Sequence, residues 1–182
     1  MLFRSVLHSI VRSGEFPLWN RFLSAGQPLA ANPGFQTFYP GTLLIFLVGF
    51  PLGFHLEIVL HIALAAVGMF LLLRSWTLSA TASLFGAVSF AFGGAVLSLT
   101  NLLPFLTSIA WWPLIVLFAR AMLRTGHRRH AAALALSLGM VFLAAEQSML
   151  IQTAILLLMI SLASGLLTLG ALNKGDPADL LK

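Results

Sequence analysis

The sequence predicts an all-α, polytopic membrane protein with about five transmembrane helices, a surface amphipathic helix and a re-entrant or interfacial segment. Two observations carry that prediction. Apolar residues make up 59% of the chain and charged residues 8%, with a mean hydropathy of +0.99, which leaves too little polar surface to cover a water-soluble domain. The apolar residues also fall in successive runs, several of them close to the roughly 20 residues that a helix needs to cross a bilayer. The absence of cysteine excludes disulfides, thiol nucleophiles and thiolate metal sites. The formal charge of +5 raises nucleic acid as a partner, but the basic residues are few and lie where membrane topology places them, so that class is discarded.

Leu2, Phe3, Val6, Ile10 and Val11 repeat at helical spacing, with Arg4, His8, Ser9 and Arg12 mostly on the other side and Gly14 as a stop. A helix so short, carrying two arginines, is expected to lie on a membrane surface. Its apolar run is too interrupted for a signal peptide. Pro17, Gly26, Pro28, Pro33, Gly34, Pro40 and Gly41 then exclude long regular elements, while Phe16, Trp19, Phe22, Phe35, Phe38 and Tyr39 are too aromatic for disorder. The stretch reads as a folded loop resting at the headgroup layer. Thr42 to Phe50 is too short to span and ends at Pro51 and Gly53, which predicts the re-entrant or interfacial segment.

Five spans follow, at His55 to Leu73, Ser79 to Ser98, Leu102 to Ala119, Ala131 to Ala145 and Met149 to Leu169. Arg74 lies in the first connection and Arg120, Arg124, Arg128 and Arg129 lie in the third, while the second and fourth connections hold no lysine or arginine. The positive-inside rule therefore puts residues 1–54 outside, the transmembrane domain at 55–170 and a cytoplasmic tail at 171–182. Arg4, Arg12 and Arg21 oppose this assignment weakly. The expected location is the cell membrane.

Ser83, Ala87, Ala91 and Ala95 recur every four residues, the spacing of a close helix contact in lipid. Trp111, Trp112 and Pro113 predict a bulky, kinked packing layer. Glu57 and His61 share a helix face near the outer end of the first span; a wetted interfacial pair is favoured there over a proton relay or headgroup contact. His55, two residues from Glu57, points elsewhere on a helix, so no metal site is assigned. Glu146 and Gln147 read as a hairpin tip. His127 to His130 read as a topology signal, with anionic-lipid contact as a second reading.

G-E-F-P-L-W-N at Gly14 to Asn20, G-Q-P-L-A-A-N-P at Gly26 to Pro33, F-Y-P at Phe38 to Pro40, His61, and L-L-L-R at Leu71 to Arg74 resemble the bacterial YfhO-type membrane proteins. That family belongs to the GT-C glycosyltransferase superfamily, whose members take a sugar from a polyprenyl-phosphate carrier on the outer membrane face. The resemblance implies an outer donor or acceptor site formed by Trp19, Asn20, Arg21, Gln27 and Asn32, to which Glu57 and His61 are added from the spans. Arg21 would pair with a lipid phosphate and Trp19 would stack on a sugar. No cofactor is implied.

The superfamily usually carries an acidic residue in its first outer loop, whereas the first aspartate here is Asp176. Only Glu15, Glu57 and Glu146 are available outside, so no catalytic residue is assigned. A long outer segment without a preceding span suggests a piece or a degenerate relative of a larger protein, the remainder of which would be a partner alongside membrane lipid. The alternatives are a non-catalytic membrane assembly component and a small transporter.

Overall fold

The computed structural model describes residues 2–14, 18–20, 26–31, 33–144 and 147–174. Among the described residues the structure is mostly helical, with turns and one two-residue antiparallel pair of strands. The elements are α1 (Leu2–Arg12), β1 (Trp19–Asn20), β2 (Gln27–Pro28), α2 (Leu43–Val48), α3 (Phe50–Ser75), α4 (Ala80–Ala91), α5 (Gly94–Leu97), α6 (Leu103–Thr125), α7 (Arg128–Ala144) and α8 (Gln147–Lys174), with 3₁₀ turns at Pro33–Phe35, Pro40–Thr42 and Ser98–Asn101.

Among the described residues, four helical stretches are long and apolar enough to cross a membrane: Phe50–Ser75, Ala80–Asn101, Leu103–Thr125 and Gln147–Leu166. The protein is therefore a multi-pass helical membrane protein. The predicted fourth span corresponds to α7, whose 17 residues reach only about 25 Å at 1.5 Å per residue. Large side chains such as Leu47, Phe85, Phe142, Met159 and Leu166 are exposed around the outside of the bundle. Water would make that surface unfavourable, and lipid does not.

α6 is the hub, packing on α3, α7 and α8, while α3 also packs on α4. At one end, Phe54 of α3, Val96 of α5 and Leu103 and Leu106 of α6 close a core; towards the other, Ile115 and Ala119 meet Leu134 and Val141 of α7. The α6–α7 connection is tight because Gly126 adopts φ 63 and its N–H returns to the Met122 carbonyl, a left-handed helix cap.

Three expectations change. The first span begins at Phe50, because Pro51 lies in the opening turn of α3, where the missing N–H has no intrahelical partner to lose. Gly49, at φ 89, reverses the chain so that α2 folds back along α3, and Gly53 lets the backbones touch: a Cβ there would lie 2.6 Å from Ile45 Cα. The predicted interfacial segment is thus a six-residue helix hairpinned onto the first span.

The small-residue face of the second span is buried at Ser83, Ala87 and Ala91, but the helix breaks at Phe92–Gly93. Val96 then turns inward in place of Ala95. Finally, part of the apolar side of α1 is covered by protein. Leu7 and Ile10 are buried against Leu29 and Phe35, with Val6 and Phe46 packed around them. The turn-rich loop has enough apolar side chains of its own to cover that part, so α1, the loop and α2 form a satellite core beside the bundle.

Candidate functional site

The predicted site residues fall into two groups. Trp19, Asn20 and Gln27 sit on the small hairpin, in register Trp19↔Pro28 and Asn20↔Gln27. The Leu29 N–H extends the pairing to the Leu18 carbonyl at 2.8 Å. Successive strand residues point to opposite faces, which is why Trp19 is 55% exposed while Asn20 is 1% exposed. Gly26, at φ +110, lies under the Trp19 indole; a Cβ there would collide with the ring. The glycine thus supplies both a left-handed backbone and the floor on which the indole rests. Arg21 and Asn32 lie outside the described residues, as do Glu15, Glu146 and Asp176.

The second group is inside the bundle. Glu57 is 0% exposed and His61 6% exposed, on the face of α3 that also buries Gly53, Phe54, Ala65, Gly68 and Leu72. His61 is the twelfth residue of a 26-residue helix, so it lies near mid-helix rather than at a wetted rim. The shallow reading fails because α3 gains a full turn before His55. His55 itself is exposed, its Nδ1 lying 2.6 Å from the Pro51 carbonyl.

The loop reaches into this interior. Tyr39 Oη lies 2.6 Å from His61 Nε2, and Trp111 Nε1 on α6 donates to Tyr39 Oη at 3.0 Å. His61 Nδ1 is 2.6 Å from the Glu57 backbone carbonyl. A carbonyl only accepts, so Nδ1 carries the proton; in the neutral ring Nε2 then accepts from the Tyr39 hydroxyl. The chain of donors runs Trp111 N–H to Tyr39 O–H to His61 Nε2, with every group directed. Gly41 packs between the Tyr39 ring and the Glu57 carboxylate, since a Cβ there would fall 2.8 Å from Glu57 Oε1 and 2.8 Å from Tyr39 Cε1.

A second anchor lies beside the first. Gln36, at φ 51, extends its side-chain amide to Thr107 Oγ1 at 2.7 Å and to the Ala144 carbonyl at 2.9 Å. Ala144 ends α7, where carbonyls lack intrahelical donors, so the loop caps that helix. The Gln36 carbonyl meanwhile accepts from Thr42 Oγ1 at 2.8 Å and from the Tyr39 N–H at 3.1 Å. Two loop side chains thereby join α3, α6 and α7.

Sequence reading missed both anchors. Tyr39 was assigned to the headgroup layer and Trp111 to packing, and nothing local reveals a bond spanning 72 positions. The signal that was present is compositional: Gln36 and Thr107 are polar residues among apolar neighbours and require partners once buried. Comparison with protein-family models, with curated proteins and with solved structures gives no match.

Proposed function

We propose that this chain is a YfhO-like membrane protein of the GT-C glycosyltransferase type, and that its loop-bearing end binds a polyprenyl-phosphate-linked sugar on the outer face of the cell membrane. The observation that carries this reading is an anchored loop with an exposed indole. Gln36 and Tyr39 hold the turn-rich segment to three helices, while Trp19 stays open on its hairpin. Holding a loop in place before binding lowers the ordering cost that a flexible loop would incur. Trp19 stacks on a sugar ring, Arg21 pairs with the phosphate, and Gln27 and Asn32 hydrogen-bond hydroxyls. α7 serves as a fifth, short span, and the arginine-rich end faces the cytoplasm.

The test is titration of polyprenyl phosphate into the chain held in lipid nanodiscs. Trp19→Ala and Arg21→Ala are each expected to weaken binding by about tenfold, the loss of one charge-assisted or stacking contact. Unchanged affinity in both variants removes the loop from the site.

A non-catalytic membrane component is the second reading, favoured by the burial of Glu57. Its carboxylate is sealed beneath Gly41 and Tyr39, away from any acceptor hydroxyl that it would have to deprotonate. Binding without sugar transfer or hydrolysis, measured with a labelled polyprenyl-phosphate sugar, selects this reading over the enzyme.

A further inference from the structure

Among the described residues, α8 is the least covered of the four helical stretches that can cross a membrane. It meets the bundle along one side, where Met149 and Thr153 are buried and Leu150 and Leu157 pack against the core of Ile115, Ala119 and Val141. On the side turned away, Gln152, Ile155, Met159, Leu162, Leu166 and Leu169 recur at alternating steps of three and four residues, and all six are exposed. Each of the five apolar members is more than half exposed. That spacing averages about 3.5 residues, which is the seam of two helices wound round each other with a left-handed twist.

Lipid alone would satisfy the five apolar side chains, but it would not satisfy Gln152. That side chain is exposed and makes no hydrogen bond to any described residue. Its depth is set by the residue beside it: Trp112 Nε1 donates to Thr153 Oγ1 at 3.1 Å, and Trp112 is the tenth of the 23 residues of α6. Leu150 and Leu157, one on either side, pack against the same mid-α6 core. Gln152 therefore stands near the middle of the crossing, where an amide meets neither water nor a headgroup and its unmet polar atoms cost free energy. An amide needs both a donor and an acceptor, and a second amide supplies both. Copies of one chain share one orientation in the membrane, so two α8 helices meet in parallel. A two-fold axis then brings each residue of the stripe to its own counterpart.

We propose that α8 is the interface of a homodimer, in which the stripe from Gln152 to Leu169 packs against the same stripe of a second copy and the two Gln152 amides hydrogen-bond across the seam. The apolar members supply the close packing that holds helices together in lipid, and the amide pair fixes the register. The pairing does not depend on sugar binding by the loop.

The test is disulfide cross-linking of the full chain in bacterial membranes, which the absence of native cysteine makes clean. Ile155→Cys, Met159→Cys and Leu162→Cys lie on the stripe, while Ala154→Cys and Ser161→Cys lie at exposed positions off it. After oxidation with copper phenanthroline, the three stripe variants are expected to give an adduct of twice the chain mass, about fivefold or more above the other two, because only facing positions bring the sulfurs within bonding reach. Adducts with a different protein, equal cross-linking at all five positions, or cross-linking at none overturns a second copy as the occupant. The amide pair has its own readout, energy transfer between labelled chains on dilution with lipid. Gln152→Leu is expected to weaken association about three- to thirtyfold, and Gln152→Asn by less. Unchanged association in Gln152→Leu overturns the amide pair.

Discussion

The Tyr39 hydroxyl sits 2.6 Å from His61 Nε2, so a loop residue closes a hydrogen-bond chain in the interior of a membrane helix. This bond and the Gln36 amide make the loop part of the bundle. The segment that carries the proposed ligand contacts is therefore braced by the spans beneath it, and the predictions below follow from that bracing.

Tyr39→Phe removes one oxygen and strands two groups, the Trp111 N–H and His61 Nε2. The expected destabilisation is about 1–3 kcal/mol, read from unfolding of the detergent-solubilised protein. Combined with His61→Leu, the total should fall short of the sum by about 0.5–3 kcal/mol, because the two changes delete one shared bond.

Gln36→Ala and Gln36→Gly both lose the bonds to Thr107 and to the Ala144 carbonyl. Only glycine also relieves the positive φ at this position. Gln36→Gly is expected to be the milder change by about 1 kcal/mol in the same unfolding assay.

Gly41→Ala puts a methyl 2.8 Å from Glu57 Oε1 and from Tyr39 Cε1, so it should cost about 1–3 kcal/mol. Gly139, inside α7, has open space where its Cβ would stand. Gly139→Ala should be neutral or stabilising by up to about 1 kcal/mol, the helix-propensity gain. Equal effects from the two alanines would remove the crowding argument.

The cysteine-free sequence permits single-cysteine labelling. Ala31→Cys and Thr125→Cys occupy exposed positions in the loop and at the end of α6. With the proposed orientation, an impermeant maleimide labels Ala31→Cys on intact cells and Thr125→Cys only after permeabilisation. The reverse pattern inverts the topology.

Local pattern was enough to place the helices. Apolar runs placed a helix at each of the five predicted positions, four of them long and apolar enough to cross a membrane, and the four-residue spacing of Glu57 and His61 placed both on one face of α3, which the structure buries. Their depth was misread because Pro51 looks like a terminator when it in fact opens the helix. The break at Gly93 was also missed, since hydropathy continues across it unchanged. Tyr39 with Trp111, and Gln36 with Ala144, were invisible for a different reason. Those pairs are 72 and 108 positions apart and depend on how the loop docks, which composition and period do not encode.

Hydrogen–deuterium exchange across residues 33–42, on the chain in lipid nanodiscs, would show whether the loop is held by the bundle. Slow exchange in the wild-type chain, accelerated in Tyr39→Phe and in Gln36→Ala, is the expected result. Fast exchange in the wild-type chain, unchanged in both variants, would mean that the loop is not anchored and that Trp19 has no fixed place from which to bind.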